Sequence, residues 1–534
     1  MNKRPNNNLG ILWLIAMVMY TPIVAMCLNF DVFNARIIPI LLTWVILLLL
    51  PYVLIKKKFL YKIAVSLLFA DGFVNLFHWI ILKCPLNASS IFVFMNTNFS
   101  EASEFMAIKM SPLLLLLIPL VYLFVMAIRN VPGFSLKSKA EKIIWPVAWI
   151  YMIVFLADNI INDCFVRLAV PDVERAFVSF FEESKAYKKL KKRDLYDLDA
   201  KLTTKDSTLF VVLVGESCNR NHMSLYGYER ATTPRLQSRN DIYVFDNVIS
   251  AYSNTLKAIL NMLSENNTER NMSIDTCVNV FDVFHSTAYK TYWLSNQSPI
   301  GIWDNGVYNL AQNADSKIFN VTSSSSMETL LTASYDENLI SPLEIAMDEK
   351  VKNKLIFLHL MGSHTKYSKR YPLDFVKFKE HTNDVEEVIN SYDNSIYYTD
   401  FLVDSIFSLM NDYCKSHPDV RISCLFFSDH GENVYDDGDY AGHDFSGAIP
   451  DANIEIPFVF WFSDSQKAYL KEHSDVLCKD VHTPYMTDDL FHTIIDICNV
   501  SVGCFDETRS FVNKNYYSGR RRLLDDGNIY KEKP

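Results

Sequence analysis

With 534 residues, 50% of them hydrophobic, and a mean hydropathy of +0.06, the chain is too long for one ordinary domain and too apolar to be wholly soluble. Its net charge of -10 is unevenly spread: residues 1–165 hold 13 Lys and Arg against 7 Asp and Glu, and the remainder holds 38 against 54. Two regions therefore meet different surroundings, and neither has the charge of a nucleic-acid-binding surface.

Crossing a bilayer takes about 20 mainly apolar residues per helix. Five stretches qualify: 10–28, 37–55, 59–82, 110–128 and 143–162. The first lacks a small-residue cleavage site and is followed by four more, so it reads as a retained span rather than a secretory signal. Lys3, Arg4, Lys56, Lys57, Lys58, Lys62, Arg129, Lys137, Lys139 and Lys142 flank one side, whereas the other has Arg36, Lys83 and Lys109. The basic side faces the cytoplasm. After five crossings, the chain beyond about residue 165 lies outside it. The expected organisation is a membrane domain over 1–165, a linker with an interfacial helix over 166–205, and an extracytoplasmic catalytic domain over 206–534.

On the third span, Asp71, Asn75 and His78 are either functional groups or anchors for helix packing. In the linker, Phe177, Phe180, Phe181 and Leu190 stand beside a basic run over 185–193. That pattern suits a helix along lipid headgroups or a solvated helical connection. Seven cysteines follow residue 165, and Cys498 with Cys504, or Cys414 with Cys424, are close enough in sequence to suggest disulfides in an oxidising compartment.

From residue 207 the pattern changes to short β-branched and aromatic runs between helical stretches. The runs 209–214, 289–294, 355–360, 422–427 and 457–462 are too continuously apolar for one-sided burial. They predict an α/β domain with a mainly parallel sheet covered by helices on both faces. Three of these strands run into polar motifs: Gly215-Glu216-Ser217, Gly362-Ser363-His364 and Ser428-Asp429-His430-Gly431-Glu432. Sites in such sheets form at the C-terminal strand ends.

A carboxylate at one strand end and an Asp-His pair at another offer oxygen and nitrogen ligands to a metal such as Zn²⁺. Read alone, Asp-His-Gly is equally a turn with a capping Asp. Ser217 is the hydroxyl beside Glu216, but Thr255 follows Ser253 and Asn254, either of which can cap a helix and leave Thr255 in its first turn. A helix N-terminus favours both a phosphate and an alkoxide. Without other motifs Thr255 would be a helix-start residue and nothing more.

The motifs taken together resemble the phosphoethanolamine transferases. The resemblance rests on Val214-Gly215-Glu216-Ser217, Arg220, Met223-Ser224-Leu225-Tyr226-Gly227-Tyr228 and Thr232-Thr233-Pro234. It continues through the run from Phe357 to His364, Lys369-Arg370-Tyr371-Pro372, Ser428-Asp429-His430-Gly431-Glu432 and Gly442-His443. With five amino-terminal spans, it covers essentially the whole chain, and its wording is closest to the lipopolysaccharide-core branch. It implies an alkaline-phosphatase/sulfatase-like domain in the periplasm, anchored in the inner membrane by several spans. Glu216, Thr255, Asp429 and His430 would bind one Zn²⁺, with Thr255 also the nucleophile. His364 and His443 would bind a second metal or the phosphoryl oxygens, one of them acting as proton donor. Thr97 and Glu101 would meet the donor headgroup, although the Asn that the family places one turn before Thr97 is Val93 here.

The implied partners are phosphatidylethanolamine as donor, a lipopolysaccharide or other glycolipid as acceptor, and the membrane itself, with the chain a monomer. Cysteines that bracket the nucleophile segment in the colistin-resistance enzymes are absent. Two other readings compete: a phosphoglycerol transferase of the lipoteichoic-acid or periplasmic-glucan type, and a catalytically inactive membrane sensor on the same fold. A sulfate-ester hydrolase is disfavoured because neither Cys-x-Pro-x-Arg nor Cys-x-Ala-x-Arg occurs. His359, His482 and His492 read as structural histidines.

Overall fold

A computed structural model describes residues 58–82, 86, 91, 112–129, 146–147, 150, 172–192, 196 and 198–532, except for 271, 298–305, 321–334, 439 and 444–448. The chain divides into two compact units, with the changeover along the main sequence between Glu183 and Ser184.

In the first unit, helix α1 (Lys58–Leu82) matches the expected third span, and a helical stretch over Pro112–Arg129 matches the fourth. Among the described residues only Pro112–Arg129 is both long and apolar enough to cross a membrane. The expected spans at 10–28 and 37–55, and most of 143–162, lie outside the described residues. The two helices pack through Val65, Leu76, Ile80, Leu117, Leu120 and Phe124, with the Phe69 and Phe124 rings stacked. Asp71 accepts a hydrogen bond from the Val173 N–H and Asn75 accepts one from Leu86 N–H. These bonds favour the packing role for both groups. The linker is helical over Asp172–Lys192, with Phe180 and Leu190 buried and Phe177 and Phe181 exposed.

The second unit is built on one seven-stranded sheet. In chain order its strands are β1 (Thr208–Gly215), β2 (Ile242–Phe245), β3 (Tyr289–Ser295), β4 (Ser316–Phe319), β5 (Asn353–His359), β6 (Arg421–Ser428) and β7 (Phe458–Phe462). Across the sheet they run β2-β7-β6-β1-β5-β3-β4. The five from β6 to β4 are parallel, and β7 is antiparallel to both its neighbours. The sheet is thus mixed: the predicted parallel part runs from β6 to the edge strand β4, and β7, one of the expected strands, is antiparallel.

Every residue of β1, β5 and β6 is buried, because alternate side chains of a central parallel strand enter opposite cores. Leu209, Val211, Leu213, Ile356, Leu358, Ile422 and Phe426 pack under the long helix Asp384–Ser416, through Tyr392, Ile396, Leu402, Val403, Phe407 and Met410. On the other face, Phe357 meets Phe281 of helix Val280–His285 edge-on.

The expected disulfides do not form: Cys414, Cys424, Cys498 and Cys504 are all free thiols. Nearness in sequence does not bring these side chains together. Cys424 lies inside the strand core and Cys498 is buried at the end of helix Leu490–Ile497, whereas Cys414 and Cys504 are half-exposed.

Candidate active site

Adjacent parallel strands β6, β1, β5 and β3 pair in close register, with Gly215 opposite Ser428, Val214 opposite His359, and His359 opposite Ser295. Their C-terminal ends therefore release Asp429-His430, Glu216, the 360–364 loop and Gln297 at one level. This alignment converts residues up to 214 positions apart into a cluster.

The loop after β5 closes tightly on Glu216. Ser363 N–H donates to the Glu216 carbonyl at 2.9 Å. Gly362 adopts φ +50°, and a Cβ there would stand 2.7 Å from the same oxygen, so only glycine fits without displacement. Asp336 fixes that loop by accepting from the Met361 and Gly362 N–H groups, each at 2.8 Å.

Thr255 opens helix α2 (Thr255–Met262), where the Asn254 side chain caps the helix by accepting from Lys257 N–H at 3.1 Å. The sequence pattern left Ser253 and Asn254 open, and Asn254 is the cap. Half-buried Thr255 presents its hydroxyl 3.0 Å from Glu216 Oε2, 3.2 Å from Glu216 Oε1 and 3.2 Å from His430 Nε2. Ser217, at φ +56°, instead turns its hydroxyl to Glu216 Oε1 at 2.9 Å and is fully buried.

The electrostatics of the cluster point to a cation. His430 Nδ1 lies 2.7 Å from the Gly431 carbonyl, an acceptor, so that nitrogen carries the proton and Nε2 is the ligand atom. Nε2 stands 3.2 Å from Glu216 Oε1 and 3.5 Å from Asp429 Oδ2, and the latter oxygen is buried without a hydrogen-bond partner. Three acceptors thus converge in a buried space, an arrangement that requires a proton or metal between them. In the metal-free chain burial opposes ionisation of Glu216, but the His430 hydrogen bond, followed by the charges of His430, His364 and His443, holds its carboxyl well below the usual range. Burial and then the Glu216 charge push Asp429 upward. His430 is raised despite its burial, with Asp429 the largest favourable contribution.

A second group shares His430. Its ring centroid lies 4.3 Å from that of His443, and His443 lies 6.4 Å from His364. Glu432 Oε2 takes His443 Nδ1 at 2.6 Å, while Tyr367 donates to Glu432 Oε1 at 2.5 Å. His430, Glu432 and His443 form one metal-competent set, and Glu216, Asp429 and His430 form another.

The fold therefore brings together Glu216, Thr255, Asp429, His430, His364 and His443, while Thr97 and Glu101 lie outside the described residues. Sequence reasoning quoted Glu432 within its motif without giving it a role, and it passed over Gln297 and Tyr367. Glu432 was legible as a carboxylate two residues beyond the Asp-His pair; no local pattern marked the other two. His359, His482 and His492 are held by structural contacts. His359 is buried against Ser295, exposed His482 pairs with Asp246, and His492 accepts from Asp506 N–H.

Residues 208–500 match the family described as Sulfatase. The chain belongs to the sulfatase family. Relatives that it matches over most of its length are phosphoethanolamine transferases, as the motifs implied. It is 26% identical over 526 residues to the phosphoethanolamine transferase EptC of Escherichia coli (strain K12), covering 91% of this chain and 87% of that protein. It is 26% identical over 508 residues to the phosphoethanolamine transferase CptA of Salmonella typhimurium, covering 87% and 84%.

Among solved structures, it resembles the C-terminal periplasmic domain of EptC from Escherichia coli in complex with Zn. That match has TM-score 0.55 at 28% identity and covers 64% of this chain and 95% of that domain. The integral membrane lipooligosaccharide phosphoethanolamine transferase A of Neisseria meningitidis shares the fold at TM-score 0.63 and 21% identity, over 93% of this chain and 98% of that one. The mixed sheet and its surrounding helices are thus the sulfatase fold.

Proposed function

We propose that this sulfatase-family protein transfers phosphoethanolamine from phosphatidylethanolamine to a lipopolysaccharide acceptor, at a core sugar or lipid A, through a covalent intermediate on Thr255. The observation that carries the reading is the placement of the Thr255 hydroxyl at a helix N-terminus, within 3.2 Å of both Glu216 and His430. The donor set of Glu216, Asp429, His430 and Thr255 suits Zn²⁺ in number and chemistry, and the unpartnered Asp429 Oδ2 is supplied with a partner by such an ion. The Zn complex of the related EptC domain supports the same choice. When bound, Zn²⁺ supplies a lower hydroxyl pKa and charge neutralisation at the phosphoryl group.

The chain's own residues divide the remaining work. Glu216, through Oε2, accepts the proton of Thr255 as its Oγ1 bonds to phosphorus and the bond from phosphorus to the diacylglycerol oxygen breaks. His443, whose Nδ1 is held by Glu432, protonates the leaving oxygen through Nε2. His364 lines the phosphoryl oxygens and offsets their charge. An acceptor hydroxyl then gives its proton to His443 and attacks phosphorus in line; the phosphorus–Oγ1 bond breaks and Thr255 takes its proton back from Glu216.

In this reading residues 1–165 form five spans of the inner membrane and hold the domain over 206–534 at the periplasmic surface, with 166–205 between them and the protein monomeric. The integral membrane neighbour and the apolar Pro112–Arg129 helix support that layout. Tethering concentrates both lipid substrates at the site, and Thr97 and Glu101 receive the donor headgroup. Incubating the full-length protein with phosphatidylethanolamine and phosphatidylglycerol together and mapping the adduct by peptide mass spectrometry tests the proposal. A phosphoethanolamine group on Thr255, absent from Thr255→Ala, is the expected result. A phosphoglycerol adduct, or an adduct on Ser217, would overturn it. Mass spectrometry of lipid A and core oligosaccharide from cells with and without the gene then identifies the acceptor.

A further inference from the structure

Gln297 follows the end of β3 and belongs to none of the motifs, yet its side chain reaches the heart of the site. Nε2 donates to Glu216 Oε2 at 3.0 Å and to the Leu360 carbonyl at 2.9 Å. Both neighbours are acceptors only, so the amide can face them solely through its NH₂ group, and both of its hydrogens are used. The orientation of Gln297 is therefore fixed by chemistry.

Its backbone is fixed as well. Gln297 N–H donates to Ser295 Oγ, and the preceding Asn296 is held by the His359 carbonyl and by Asp336 Oδ1, the latter at 2.8 Å. Asp336 is the same buried carboxylate that holds the 360–364 loop through Met361 and Gly362. One anchor thus sets the position of both the loop beneath Glu216 and the turn that presents Gln297 beside it.

The two carboxylate oxygens of Glu216 are consequently in different situations. Oε1 faces His430 Nε2 and Ser217, on the side of the cation-binding cluster. Oε2 is taken by Gln297 and by the Thr255 hydroxyl, which stands 3.0 Å from it against 3.2 Å from Oε1. Without the amide, the carboxylate could rotate about its last torsion, which is broad and roughly two-fold. We propose that Gln297 is a positioning residue for metal binding and nucleophile activation: it holds Oε2 so that Oε1 meets the metal while Oε2 stays within reach of the Thr255 proton. The inference rests on the zinc reading of the site given above. A Glu at this position would set two carboxylates against each other, and a Leu would leave Oε2 and the Leu360 carbonyl each without a donor.

The test uses the full-length protein in detergent micelles, with Zn²⁺ affinity measured by competition against a chromophoric chelator. Gln297→Leu is expected to weaken Zn²⁺ binding about 10- to 100-fold, as loss of a partner to a metal ligand typically does. It should also shift the visible absorption of the Co²⁺-loaded protein, and lower kcat with little change in KM for phosphatidylethanolamine. Gln297→Asn keeps the amide on a shorter side chain and should behave alike; it carries the test if the Leu variant misfolds. A Gln297 that merely closed the Leu360 carbonyl would lower the thermal midpoint of the metal-free protein and leave Zn²⁺ affinity and the Co²⁺ spectrum unchanged. That result would overturn the proposal. A wild-type protein that bound no Zn²⁺ would remove the underlying reading and this inference with it, whereas one that bound Zn²⁺ without transferring phosphoethanolamine would leave the affinity comparison decisive.

Discussion

His222 offers a quantitative test of how the site is supported. It is buried between two carboxylates, with Nδ1 2.8 Å from Asp393 and Nε2 3.1 Å from Asp436. Asp393 also takes Arg230 at 2.7 Å and the Tyr228 hydroxyl, and Asp436 is anchored by Val434 N–H. Burial alone would lower the imidazolium pKa, but the hydrogen bonds and charges of the two carboxylates raise it from 6.5 to about 9. At 1.36 kcal/mol per pKa unit the protonated ring contributes about 3 kcal/mol to folding.

A raised folded-state pKa fixes the sign. The contribution is fully present below the unfolded value of 6.5 and is lost as pH rises through about 9. Replacing His222 by Gln keeps a donor for Asp393 and removes the titration. Unfolding of the full-length protein by urea in micelles can be followed through the fluorescence of buried Trp293 and Trp461. The stability gap between wild type and His222→Gln should shrink by about 3 kcal/mol between roughly pH 6 and pH 9.5. An equal gap at both ends would show that His222 is not held as an imidazolium, and the reasoning would be wrong.

Gly362→Ala should destabilise the protein by about 1–3 kcal/mol through overpacking and should depress transfer, because its Cβ would displace the Glu216 backbone; thermal unfolding and steady-state assays read both effects. Ser217→Ala removes one hydrogen bond to Glu216, a loss of about 0.5–1.5 kcal/mol, and should retain transfer within roughly tenfold. Thr255→Ala should form no covalent intermediate, and reversal of these two outcomes in the adduct assay would reassign the nucleophile. Tyr367→Phe leaves Glu432 Oε1 without its 2.5 Å donor and should cost about 1–3 kcal/mol in denaturant titration. Chelation should lower the thermal midpoint, since a site held at 100 times its dissociation constant contributes about 2.7 kcal/mol; an unchanged midpoint would argue against a structural hold on Zn²⁺.

Much of the catalytic domain was legible in the sequence because its determinants are local. Strand runs such as 209–214 are uniformly apolar when both faces are covered, and the polar motifs follow their C-terminal ends. Asn254 sits one residue before the helix it caps, so the first-turn position of Thr255 could be argued without knowing what lay opposite. The identity of that cap needed the backbone geometry. The disulfide expectation failed for the converse reason: proximity along the chain says little about where two Cβ atoms point.

What tertiary structure decided is the set of contacts between segments distant in sequence. Gln297 meets Glu216 across 81 positions, His222 meets Asp393 across 171, and Tyr367 meets Glu432 across 65. No periodicity or cap joins such pairs. The contacts of Gln297 and Tyr367 follow from the parallel pairing of β6, β1, β5 and β3, which brings the segments after these strands to the same height, and that of His222 from the helix Asp384–Ser416, which carries Asp393. The sequence by itself therefore determined which groups carry charge and reactivity and that they leave strands at their C-terminal ends. Only the sheet register decided which of them share a ligand, a proton or an orientation, because hydrogen bonding acts over about 3 Å whatever the separation along the chain.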